Sequence, residues 1–150
     1  DDAGRILIDG QPGEPDIRSD AVNAIVSPVA TIPAVRAAMV EKQREVAAQG
    51  PGVVAEGRDI TTVVFPQADF RFYLDASPRV RAERRAKQLE RPQDVEEIER
   101  SLAERDRIDS TREDSPLHLG QGVTRIATDG LDAQGVLEEL LARIEAGAER

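Results

Sequence analysis

Three short apolar runs, Val53-Val54-Ala55, Phe70-Arg71-Phe72-Tyr73-Leu74 and Thr124-Arg125-Ile126-Ala127-Thr128, alternate with longer segments of helical periodicity. Runs this short and this apolar suit strands buried on both faces, and strands that alternate with helices are joined by crossovers. The expected architecture is therefore α/β, a parallel sheet covered by helices. Trp is absent and aromatic residues make up only 3% of the chain, so the core must rest on Val, Ile, Leu and Ala.

The helical segments carry their own boundaries. Arg5 to Asp9 reads as a first strand, and Gly10-Gln11-Pro12-Gly13-Glu14-Pro15 as a loop. Ser19-Asp20 offers N-cap chemistry for a short helix through Val22, Ile25 and Val26, halted near Ser27-Pro28. From Pro33 to about Ala48 a second, amphipathic helix runs until Gly50-Pro51-Gly52. After the strand that ends at Leu74, Ser77 can cap and Pro78 can open a helix to about Leu89, broken at Arg91-Pro92. Another helix spans about Asp94 to Arg112, and a last one about Asp132 to Ala146. A boundary is expected at Gln49 to Gly52, dividing a helical part, residues 1–52, from a core part, residues 53–150.

The formal net charge is −9, from 29 acidic and 20 basic residues, which excludes non-specific binding to nucleic acid or to an anionic membrane surface. Without cysteine, and with His118 as its single histidine, the chain has no thiolate or zinc site. No stretch approaches the ~20 apolar residues of a membrane span. A cytoplasmic, monomeric protein that meets any anionic ligand through local charge is expected.

Several clusters are candidates for that local charge. Glu56-Gly57-Arg58-Asp59 follows an apolar run, where Gly permits a sharp turn at the ligand edge of a parallel sheet. Arg there suits a phosphate and Asp an amine or sugar hydroxyl, although the same residues make a solvated turn with a local ion pair. Arg105, Asp109 and Arg112 share one helix face, as a sugar-phosphate site or as a surface ion-pair ladder. Arg81, Arg84 and Arg85, with Arg79 and Lys87 nearby, concentrate positive charge that Glu83 and Glu90 offset in part. Such a cluster suits a mobile clamp on transferring phosphates as well as a solvated helix face. Ser27, Arg36 and His118 read by themselves as a stop signal, a surface charge and a loop residue.

In order and spacing, Val54-Ala55-Glu56-Gly57-Arg58-Asp59-Ile60, Thr62-Val63-Val64-Phe65-Pro66, Leu74-Asp75-Ala76-Ser77, Arg81 with Arg84-Arg85, Glu104-Arg105-Asp106 with Asp109 and Arg112, and Ser115-Pro116-Leu117 together resemble bacterial cytidylate kinases. Upstream, Asp16-Ile17-Arg18-Ser19, Ser27 and Pro33-Ala34-Val35-Arg36 are similar to the CMP-binding insert of that family. The resemblance implies a three-layer P-loop-kinase fold with the insert in residues 1–52 and a lid at about 78–95. It also implies transfer of the γ-phosphoryl group of ATP to CMP or dCMP, with Mg2+. By the same resemblance Ser27, Arg36 and Asp59 contact cytosine, Arg58 and Arg112 the acceptor phosphate, and Arg105 and Asp109 the ribose. Arg84 and Arg85, joined by Arg81, are the lid arginines that meet the ATP phosphates, and with Arg58 they are the catalytic set; no protein ligand for a metal is implied.

Three positions depart from the family pattern. The Gly-rich loop ending in Gly-Lys and a hydroxyl residue, which cradles the ATP phosphates, has no counterpart here. Thr61 stands where Gly is usual, and Gly120-Gln121-Gly122 replaces a small residue and an acid. The expectation is therefore a fold incomplete at its amino terminus and a 150-residue chain that keeps the acceptor site and lid but does not transfer phosphoryl groups alone. The alternative is a catalytically silent module that binds CMP or a protein partner.

Overall fold

The structure is a computed structural model and describes residues 6–14 and 16–148. It opens on an antiparallel hairpin, β1 (Leu7–Ile8) against β2 (Gln11–Pro12). Asp9 and Gly10 both have positive φ, 49° and 80°, the backbone of a two-residue hairpin turn that Asp-Gly favours. Among the described residues the expected first strand is thus the first arm of a hairpin and joins no parallel sheet, and part of the expected loop is its return arm. Arg5 and Pro15 lie outside the described residues.

Helix α1 (Asp20–Val29) begins as its cap chemistry requires, with Ser19 Oγ accepting from the Val22 amide at 3.3 Å. It does not halt at Ser27-Pro28 but continues to Val29. Pro28 sits in the last turn, where its fixed φ is already helical and its missing N–H removes a single bond. Helix α2 (Pro33–Ala47) starts with proline in its first turn and meets α1 at a bend of 101°. No single helix among the described residues is long and apolar enough to cross a membrane.

Val53-Val54-Ala55 corrects the sequence expectation more sharply. It pairs with no strand among the described residues, and Val54 is fully exposed. An apolar run becomes a buried strand only beside a partner that takes its hydrogen bonds, and the expected three-stranded core is a two-stranded parallel sheet. In it β3 (Phe72–Asp75) lies beside β4 (Thr124–Ala127), with Phe72 opposite Thr124 and Asp75 opposite Ala127. Between these strands the chain crosses over through α3 (Pro78–Gln88), a 3-10 turn at Pro92–Asp94 and α4 (Val95–Thr111), and α5 (Ala133–Ala148) closes the fold.

Packing centres on α3 and α4. Ala82 and Ala86, one turn apart, are completely buried against Ile98, with Leu89, Val95 and Leu102 around them. Small side chains on one face let the two helices approach closely, so the basic face of α3 is held at a fixed distance from α4. The Ser77 amide, at the start of α3, donates to Asp129 Oδ1 at 2.7 Å, tying the helix to the loop after β4.

Candidate functional site

Residues 56–64 bring the first site groups into place. The Ile60–Val64 segment forms one wide i→i+5 turn, with the Phe65 amide donating to Ile60 O at 2.8 Å and Val64 buried beneath it. A Cβ at Gly57 would stand 2.9 Å from Ile60 Cγ1, so any larger residue there would force the Ile60 side chain to shift. Thr61 has no positive φ, and its replacement of glycine therefore strains nothing. Gly122 does have positive φ, 71°, and a Cβ at Gly120 would stand 2.9 Å from Thr62 Cγ2, so this glycine pair is matched to its loop.

From that turn Arg58 and Asp59 face α4 and α2. Asp59 is buried; its Oδ2 accepts from Arg36 Nη2, and its Oδ1 lies 4.0 Å from Arg112 Nη2. Arg112 Nη1 donates to Asp109 Oδ1 at 3.5 Å, and Asp109 Oδ2 lies 3.4 Å from Arg58 Nε. Arg58 Nη1 donates to Asp106 Oδ1 at 2.5 Å, and Asp106 Oδ2 accepts from Arg81 Nη1. Four guanidinia and three carboxylates thus alternate from α2 through the 56–59 turn and α4 to α3. Alternation lets each buried charge keep a partner of opposite sign. Burial, and then the nearby Arg36, pulls the Arg112 pKa below its usual value, against the opposing pull of Asp59 and Asp109.

Arg112 differs from its sequence expectation in one respect. It caps α4 in an extended conformation, φ −64° and ψ 145°, and does not continue the helical face of Arg105 and Asp109. The turn lets Arg112 Nε donate to Ser115 O at 2.6 Å, where Ser115 itself has φ 55°. His118 stays a loop residue, its Nδ1 2.9 Å from Pro116 O.

Five buried side-chain atoms have no hydrogen-bond partner among the described residues: Ser27 Oγ, Arg36 Nε, Arg105 Nε, Asp109 Oδ2 and Arg112 Nη2. All five belong to residues singled out in the sequence as nucleotide contacts. A buried polar atom without a hydrogen bond costs about 1–3 kcal/mol, so each such atom calls for a partner, whether a ligand group, an ion or an ordered water. Among the described residues Arg112 Nη2 and Asp109 Oδ2 keep only longer ion pairs, at 4.0 and 3.4 Å.

Beside this network lies an open depression of about 420 Å³ lined by Arg58, Arg81, Arg84, Arg85, Gln88 and Leu102. Arg81 is fixed on two sides, its Nε donating to Ala76 O at 3.2 Å. Arg84 reaches the loop after β4, donating to Thr128 Oγ1 at 3.0 Å, to Thr128 O and to Leu131 O at 2.9 Å. Among the described residues Arg85 donates only to Gln88 Oε1, at 2.7 Å. Arg79 turns away from the depression to Glu83 and Glu99.

A sequence model of the cytidylate kinase family matches residues 2–146. The chain is 42% identical over 146 residues to the cytidylate kinase of Pelotomaculum thermopropionicum, an alignment covering 95% of this chain and 64% of that protein. It is 43% identical over 142 residues to a bifunctional pantoate ligase/cytidylate kinase of Synechococcus sp. strain CC9902, covering 91% of this chain and 29% of that protein. A protein of the same description from Prochlorococcus marinus strain MIT 9303 is 41% identical over 141 residues, covering 91% and 29%. The chain belongs to the cytidylate kinase family. It spans less than two thirds of the length of these relatives.

The mixed α/β fold and its parallel β3–β4 pair are consistent with a P-loop-type kinase. Within this cytidylate kinase family member, three further residues hold the site together, in roles that the sequence alone does not show. Asp106 joins Arg58 to Arg81; its signal was a second carboxylate three positions before Asp109 on α4. Arg44 donates to Val64 O at 2.9 Å and to Val63 O at 2.7 Å, holding α2 against the wide turn. Thr128 is buried and receives Arg84. Nothing in the local sequence marks the last two.

Proposed function

We propose that this chain carries the acceptor-nucleotide site and the lid of a cytidylate kinase, which passes the γ-phosphoryl group of ATP to CMP or dCMP. The observation that carries this reading is the coincidence of the five unpartnered buried atoms with the residues predicted to touch the nucleotide. A base edge can take the Ser27 hydroxyl and the Arg36 and Asp59 pair, while a ribose takes Arg105 and Asp109. Arg58 and Arg112 meet the acceptor phosphate. Their role is to neutralise charge and to align the acceptor oxygen with the incoming phosphoryl group.

On this reading α1 and α2 are the CMP-binding insert, residues 53–150 belong to a three-layer kinase core, and residues 78–95 are the lid that presents Arg81, Arg84 and Arg85 to the ATP phosphates. The depression these arginines line has the charge that phosphates require. No cluster of three or more His, Asp or Glu side chains that could hold a metal ion occurs among the described residues. Mg2+ enters this reading as the companion of ATP, where it would lower the charge on the transferring phosphates. The chain has no Gly-Lys-Ser or Gly-Lys-Thr sequence, so we expect no phosphoryl transfer by these 150 residues alone.

Calorimetric titration of the chain with CMP, dCMP and UMP tests the acceptor reading. Saturable binding that favours the cytosine nucleotides is expected, and absence of saturable binding would overturn it. Formation of CDP from ATP and CMP by the isolated chain would contradict the expectation of no transfer.

A further inference from the structure

Asp106 has no part in the nucleotide contacts assigned above, yet it sits between two of the arginines that line the depression. Its Oδ1 is 2.5 Å from Arg58 Nη1 and its Oδ2 accepts from Arg81 Nη1, so one carboxylate holds a guanidinium in each hand. The three side chains are 23–31% exposed, open enough for a ligand to reach and covered enough for the charges to feel one another. The other face of each arginine is also fixed, Arg58 Nε by Asp109 at 3.4 Å and Arg81 Nε by Ala76 O. Nη2 of both has no hydrogen-bond partner among the described residues.

We propose that Asp106 is an internal counter-anion of the phosphate site: its carboxylate neutralises Arg58 and Arg81 when no phosphate monoester is bound, and an entering phosphate competes with it for both guanidinia. This rests on the reading of Arg58 and Arg81 as phosphate contacts. Four arginines around one open depression repel one another, and a carboxylate bonded to two of them lowers that cost. The same carboxylate repels a phosphate dianion entering the depression. Arg58 comes from the 56–59 turn and Arg81 from α3, so exchange of Asp106 for phosphate changes what holds these two guanidinia in place. Asp106 thereby limits phosphate affinity.

Two measurements on the full chain test this. Calorimetry compares CMP with cytidine, which lacks the phosphate, on the unaltered chain and on Asp106→Asn. Loss of the competing charge should tighten CMP binding about ten-fold and leave cytidine binding unchanged. A residue with a merely structural role would weaken both ligands together, and that result, or an unchanged CMP Kd, overturns the proposal. In the unaltered chain, the side-chain carboxyl carbon of Asp106 is followed by NMR as inorganic phosphate is added. Its resonance should move as Arg58 and Arg81 change partners; a resonance unmoved at phosphate saturation overturns the proposal even if Asp106→Asn fails to fold. A chain that binds inorganic phosphate with a moving Asp106 signal but does not bind CMP sinks the acceptor-nucleotide reading alone. CMP binding without any Asp106 shift sinks this one alone, and binding of neither ligand sinks both.

Discussion

The α3–α4 hairpin and the α1–α2 pair are held in opposite ways. On α3 and α4, Ala82, Ala86 and Ile98 are buried together and fix the helices by apolar contact. On α1 and α2, Ile25, Val26, Met39 and Val46 are exposed, and Ser27 is the only buried residue of the two helices. Polar bonds tie α2 to the 59–64 segment, Arg36 on Asp59 at one end and Arg44 on the Val63 and Val64 carbonyls at the other. The difference teaches that one half of the site rests on a packed scaffold while the other is tethered by the very charges proposed to meet the base. In such an arrangement the base contacts and the docking of α2 share one free energy, because Arg36 serves both.

Substitutions can break this contrast at graded cost. Ile98→Ala removes most of a buried side chain and should cost about 3 kcal/mol, seen as a lowered denaturant midpoint. Arg36→Ala leaves Asp59 buried with only Arg112 at 4.0 Å, and a loss of about 2 kcal/mol is expected, together with weaker CMP binding. A variant that kept full stability would show that the tether is not energetically important. Arg44→Ala frees two carbonyls that water can reach in part, so about 1 kcal/mol is expected from the same measurement. Val46→Ala, at a side chain 58% exposed, should fall within about 0.5 kcal/mol of the unaltered chain. A large effect at Val46 would mean that α2 is packed and not tethered.

Elements whose ends are set by local chemistry were legible in the sequence. Ser19, Pro33, Pro78 and the Arg91-Pro92 break mark helix boundaries that the structure reproduces to within a residue or two. Pairing was less legible. Val53-Val54-Ala55 has the composition of a buried strand but no strand beside it among the described residues, and composition cannot report a neighbour. The hairpin at Asp9-Gly10 carried a usable turn signal, obscured by prolines that favoured a loop reading.

The candidate site shows the same division. Gly57 and the shared face of Arg105 and Asp109 could be argued from spacing alone. Arg36 could not: its partner Asp59 is 23 positions away, and only the family resemblance singled it out. Asp106 belongs to the Glu104-Arg105-Asp106 motif, but its bridging role is not legible there, because Arg58 and Arg81 lie 48 and 25 positions from it and the bridge exists only after folding.

The central claim is that Ser27, Arg36, Asp59, Arg105, Asp109 and Arg112 form one acceptor-nucleotide site. Backbone amide NMR of the chain titrated with CMP addresses it directly. The account predicts saturable shifts concentrated at residues 27, 36, 57–60 and 105–112, with the β1–β2 hairpin and the carboxy-terminal turns of α5 unmoved. Saturable shifts confined to other surfaces, or none at all at millimolar CMP, which is the scale of weak ligand binding, would contradict it.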